Sequence, residues 1–125
     1  MNWLFTILLM IFCHVVADYN LQGWLASAKQ QSYWEANAPD KKYKYDYLCA
    51  LVTHSFAWTF MVMLPLAYLL EFDINAWFVC MFAWNLIAHA LVDHMKANWK
   101  IINLWVDQLI HFGQIALTTL LFFVA

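Results

Sequence analysis

The sequence predicts an all-α protein: a four-helix transmembrane bundle with an intramembrane His/Asp site near the cytoplasmic side. Three observations predict it. Hydrophobic residues make up 66% of the 125 and charged ones 11%, far from soluble averages of about a half and a quarter. Four apolar stretches alternate with three polar connections, and each stretch approaches the ~20 residues a helix needs to span a bilayer. Finally, histidine and aspartate recur one helical turn apart inside those stretches, as His14-x3-Asp18, His89-x3-Asp93 and Asp107-x3-His111, while the remaining stretch carries a lone His54. Residues four apart leave a helix on the same face, and ionisable groups at membrane depth are costly enough to mark function.

The length suits one domain, residues 1–125. A net charge of −2 and the absence of arginine exclude a nucleic-acid partner, which needs a basic surface. Cys13, Cys49 and Cys80 fall singly in three apolar stretches and read as buried, inert thiols.

The first span is expected over about residues 3–28. Val15-Val16-Ala17 before Asp18 resembles a signal-peptide cleavage site. The start Met1-Asn2-Trp3 has no positive charge, however, and cleavage would discard His14, so a retained helix is expected. Residues 29–46 form the one long polar stretch, in which Asn37-Ala38-Pro39-Asp40 reads as a helix start. The second span covers about 47–70, with a kink expected at Pro65. Glu71-Phe72-Asp73 gives an acidic turn, and the third and fourth spans follow over about 74–95 and 101–124. Trp3, Trp24, Trp34, Tyr47, Trp77 and Trp99 fall near span ends as an aromatic belt.

All six lysines lie in the first and third connections: Lys29, Lys41, Lys42, Lys44, Lys96 and Lys100. The positive-inside rule places both connections in the cytoplasm and both termini outside, in the inner membrane. Traversed in alternating directions, the four spans then deliver His14 and Asp18, His54, His89 and Asp93, and Asp107 and His111 to one depth. One His-x3-Asp pair is most often a plain ion pair, but three at a common depth, joined by His54, point to a single metal site. Imidazole with carboxylate suits a divalent metal, zinc above all, with manganese or iron as alternatives. The seven ligands suit one ion or two ~4 Å apart. Haem fits less well beside so many aspartates.

The pairs extend into polar stripes: His14, Asp18 and Gln22; Asn85, His89 and Asp93; Asn103, Asp107, His111 and Gln114. Gln22 and Gln108 are expected to contact the ligands or a substrate, their plainer role being interhelical hydrogen bonding. Lys96 reads as a snorkelling lysine whose other role is a point charge for phosphate. His94 lies off the stripe and reads as a surface or interface residue, and Gly113 reads as a place of close helix approach. The outer halves of the spans look almost purely apolar.

His14-Val-Val-Ala-Asp18-Tyr-Asn-Leu-Gln22, Thr53-His54, His89-x3-Asp93-x2-Lys96 and Asp107-Gln108-x2-His111 together resemble the motifs of a small uncharacterised family of bacterial and phage membrane proteins. The likeness covers nearly the whole chain. More distantly, the His/Asp spacing is similar to that of membrane-bound metal-dependent hydrolases and of helical zinc-dependent phospholipases C. That similarity implies phosphoester hydrolysis at a metal cluster; in a membrane the expected substrate is a lipid or amphiphile, with Asp18, Asp93 or Asp107 as general base. The chain is shorter than those enzymes and lacks their extra ligands. Two non-enzymatic alternatives stand beside this expectation. One is a metal or proton site in a transporter, channel or sensor. The other is a phage-type membrane partner protein whose His/Asp network is structural. Four thin helices rich in aromatics also suit a homo-oligomer.

Overall fold

The computed structural model describes residues 2–125. Helix α1 (Trp3–Val15) opens at Asn2, whose side chain accepts the Leu4 N–H at 2.8 Å. At Val16 the helix widens into a π turn through Asn20, closed by the Leu21 N–H on the Val16 carbonyl at 2.9 Å. The expected continuation to Ala28 does not occur. Gly23, at φ +53°, takes the left-handed conformation that glycine alone adopts cheaply, and the chain turns there before the separate short helix α2 (Leu25–Ala28).

The polar stretch holds a second short helix, α3 (Gln31–Asn37). Asn37 ends that helix rather than starting the next. Asp40 caps a single 3-10 turn, Lys41–Tyr43, by accepting the Lys42 N–H at 3.0 Å. Helix α4 (Asp46–Leu69) runs on through Pro65 and stays helical on both sides of it. Helix α5 (Ala76–Ala97) is capped by Asn75. Asn103 in the same way accepts the Val106 N–H at 3.0 Å to open α6 (Leu104–Val124). Asn103 is therefore exposed as a cap and does not continue the inward polar stripe.

Four segments are long and apolar enough to cross a membrane: Trp3–Asn20, Lys41–Leu69, Ala76–Ala97 and Leu104–Val124. They close into a ring in which α4 packs on α1 and α5, and α6 packs on the same two. Trp58, Val62, Met63, Leu66, Phe78 and Ile115 form the centre of the apolar core. The outside is equally apolar, with Leu8, Phe12, Phe56, Ile87 and Leu109 all more than half exposed. A surface of that kind suits lipid, not water. It also corrects two expectations. Cys49 and Cys80 face outward, and only Cys13 is buried. Gly113 lies on the outer face with open space where a Cβ would stand, so it serves no close helix approach.

Helices α2 and α3 fold over the lysine-bearing end of the ring. Asn98, just past α5, pins them there: its side chain accepts the Gln31 N–H at 2.7 Å and donates to the Lys29 carbonyl at 3.0 Å. Trp34 adds a bond from its indole N–H to the Ala28 carbonyl at 2.7 Å. This clamp fixes the position of Lys29.

Candidate metal centre

The four long segments bring their ionisable groups to the lysine-bearing end, where Asp18, His54, His89, Asp93, Asp107 and His111 are all buried. His54 sits two turns into α4, and its Nε2 meets three neighbours. Asp18 Oδ1 lies 3.2 Å away, His89 Nε2 3.2 Å and Asp93 Oδ2 3.3 Å. His89 Nε2 is in turn 3.6 Å from Asp93 Oδ2 and 4.0 Å from Asp18 Oδ1. An ion held tetrahedrally by ligands about 2.1 Å away keeps those ligands about 3.4 Å apart. These five separations lie close to the edges of such a tetrahedron, so the four side chains could hold a metal ion.

A second group of ligand type is made by Asp18, Asp107 and His111, sharing Asp18 with the first. His111 Nε2 stands 3.3 Å from Asp107 Oδ1, one turn back on α6, and 3.5 Å from Asp93 Oδ1. Three carboxylates thus converge on one buried volume. Two lysines answer them: Lys29 Nζ lies 2.6 Å from Asp93 Oδ2, and Lys96 Nζ 2.7 Å from Asp107 Oδ2. With neutral imidazoles the cluster keeps one uncompensated negative charge, which a buried site tolerates poorly. A bound cation would supply the balance.

His14 stands apart from both groups. Trp58 donates its indole N–H to His14 Nδ1 at 2.8 Å, so a neutral ring carries its proton on Nε2 and donates it to Gln108 Oε1 at 2.9 Å. Both nitrogens are engaged, and His14 is a positioning residue rather than a ligand in this arrangement. The π turn explains the departure from the His14-x3-Asp18 expectation. A π turn places an additional residue in the helical ring, so Asp18 is rotated relative to the α-helical face that carries His14. Gln108 links the two: its amide donates to Asp18 Oδ2 at 3.2 Å and to Asp107 Oδ2 at 3.0 Å. Gln22 donates to the Asp18 carbonyl at 2.7 Å, the bond of one helical turn.

Stacking, not hydrogen bonding at Nδ1, holds two of the rings. His89 lies between Trp58, with centroids 4.1 Å apart, and His111 at 4.3 Å. The Nδ1 atoms of both histidines are buried without a partner. His94 is half-buried away from the cluster, stacked on Tyr47 and packed edge-on to Trp99.

Two residues of the site escape a reading of the sequence alone. Lys29 lies in a polar connection and looks like an orientation signal, yet it is only 4% exposed. Nothing local announces this, because its partner Asp93 is 64 residues away. Trp58 did carry a signal, since it stands one turn after His54 on α4 and so shares its face.

Deeper in the bundle the spans are less apolar than expected. Gln114 donates to both the Asn85 side chain and the Asn85 carbonyl at 2.9 Å. Asn85 donates to Thr118 at 3.0 Å. Thr6, Thr118 and Thr119 return their hydroxyls to carbonyls four residues back on their own chain. No family model, curated protein or solved structure matches the chain, so the geometry alone carries the functional reading.

Proposed function

We propose that this chain is a membrane-embedded, metal-dependent hydrolase acting on a phosphoester of a lipid or amphiphile, with its site on the cytoplasmic side of the inner membrane. The observation that carries the metal half of this reading is the near-tetrahedral spacing of His54, His89, Asp18 and Asp93. Zinc fits the mixed imidazole and carboxylate donors best, and the second group around Asp107 and His111 offers room for a companion ion. When bound, such a metal lowers the pKa of water and polarises a phosphoryl oxygen.

The chain's own residues supply the rest. With a single ion in the tetrahedral group, Asp107 lies outside it and is the aspartate left to take the proton of the attacking water. Lys96, held on Asp107 at 2.7 Å, keeps that carboxylate oriented. Gln108 and His14 hold Asp18 and Asp107 in register through the hydrogen bonds described above.

The metal content of purified wild type against His89→Ala and Asp107→Ala tests the site. One or two ions per chain in wild type, lost in His89→Ala, is the expected result. Metal-free wild type at neutral pH would overturn the reading and leave a structural network balanced by a proton on one imidazole. Phosphate release from lipid phosphoesters, set against ion flux in liposomes, then separates hydrolase from transporter. A transporter would need polar groups free to rebond through the full thickness. Thr6, Thr118 and Thr119 each donate to a carbonyl four residues back, and Asn85, Gln114 and Thr118 are closed on one another, an arrangement that favours the hydrolase.

A further inference from the structure

Beside the His/Asp cluster, at the same end of the bundle, lies an open cavity of about 400 Å³. Lys29, Lys96, Lys100, Gln22 and Gln30 line it, and no acidic residue does. We propose that this cavity binds the phosphomonoester head of an amphiphile and presents it to the cluster.

Several features point to an anionic head. Lys29 and Lys96 form the wall between cavity and cluster, because each lines the cavity while its ammonium group bonds to an aspartate of the cluster. An ammonium has three N–H donors, so each lysine keeps two beyond the bond it makes to Asp93 or Asp107. Lys100 has no acidic partner within ion-pair distance among the described residues, and its charge is free for a ligand. Its backbone is also strained. At φ +56° it occupies the left-handed region, which a residue with a Cβ adopts less readily than glycine. Gln22 also lines the cavity, and its buried Oε1 has no partner.

The rest of the rim says what carries the phosphate. Lys100 stands in the chain between Trp99 and Ile101, which are 56% and 64% exposed. A head bound at Lys100 therefore has apolar surface immediately beside it for a chain. The volume lies within the range of about 300–1,000 Å³ typical of small-molecule sites. As a substrate seat this cavity rests on the hydrolase reading; as an anion site it does not.

The test uses the full-length protein in phosphatidylcholine nanodiscs, with metal content measured on the same preparation. Three probes are titrated: inorganic phosphate, a short-chain phosphatidic acid, and a phosphatidylcholine of equal chain length. Phosphatidic acid is expected to bind and phosphatidylcholine not. Lys100→Gln is expected to weaken that binding about tenfold, the loss of one charged hydrogen bond. Lys100→Gly should weaken it as much while folding at least as stably, because it relieves the strain. Tighter binding of phosphatidic acid than of inorganic phosphate supports a lipid source, and equal binding supports the same site filled by free phosphate. Equal binding of phosphatidylcholine, or phosphatidic acid binding unchanged by both Lys100 variants, would overturn the proposal. Absence of metal with anion binding intact would sink the hydrolase reading alone; metal without anion binding would sink this inference alone.

Discussion

At the lysine-bearing end of the bundle, five separate segments contribute Asp18, Lys29, His54, the α5 residues His89, Asp93 and Lys96, and the α6 pair Asp107 and His111. These residues bond chiefly to one another across segments. At the opposite end, Thr6, Thr118 and Thr119 bond back to their own chain, and Val62, Met63 and Leu66 pack against Phe78 and Ile115. Both halves are buried and both hold polar atoms. In the first, removing one group strands several others, so substitutions there are coupled. In the second the threonine hydroxyls donate within their own helices while Asn85, Gln114 and Thr118 bond across helices, so substitutions away from those three should add.

Asp93→Ala offers the sharpest way to break this contrast. It leaves the Lys29 ammonium buried without its carboxylate, a loss of about 3–5 kcal/mol, and it empties one metal ligand position. The double variant Lys29→Met/Asp93→Leu should recover most of the stability, since an apolar pair of similar volume replaces a buried ion pair nearly neutrally. It should not recover metal. Thermal unfolding and metal content, read together, check both halves; recovery of metal would show that Asp93 is structural only.

In the apolar half, Leu66→Ala should cost about 2–3 kcal/mol through the cavity it leaves. Inside a bilayer the loss is of packing contacts, not of transfer from water. Leu66 is fully buried and touches no member of the cluster, so metal content per folded chain should stay at the wild-type value. A fall in metal would show that the halves are coupled after all.

Gln108→Ala removes the bonds to His14, Asp18 and Asp107 at once. A metal affinity about 10- to 100-fold weaker is expected, the usual effect of losing a group that orients ligands. Gln108→Glu, which keeps an acceptor for His14 but loses the amide donor to both aspartates, should be no better; competition with a chelator measures both. The smallest effect is at Gly113, where a Cβ meets nothing. Gly113→Ala should raise stability by about 0.5–1 kcal/mol in thermal unfolding and leave the metal site unchanged.

The apolar runs and the one-turn His/Asp spacings were enough to read the bundle and the group around His54, His89 and Asp93, because both depend on helix periodicity alone. His14 was misplaced because periodicity assumes an unbroken α-helix, and nothing in Val16–Asn20 signals a π turn. Lys29 and the cavity were hidden for another reason. They depend on how a polar connection folds back over the bundle, and Asn98 makes that contact from 69 residues away. Cys49, Cys80 and Gly113 were misread because burial rules drawn from water-soluble proteins place small and apolar residues inside. A chain surrounded by lipid has no such need.

The bond between Lys29 and Asp93 also bears on how the protein is made. Chains fold as they are synthesised, beginning at the N-terminus, and Lys29 emerges 64 residues before Asp93. Asp18 and His54 emerge earlier too, so three of the groups that surround the Asp93 carboxylate precede it. The chain therefore holds the lysine partner of the α5 aspartate before that aspartate is made. Its counter-ion has already been made, and the Asn98 clamp, completed just after Asp93, then seats that lysine against it.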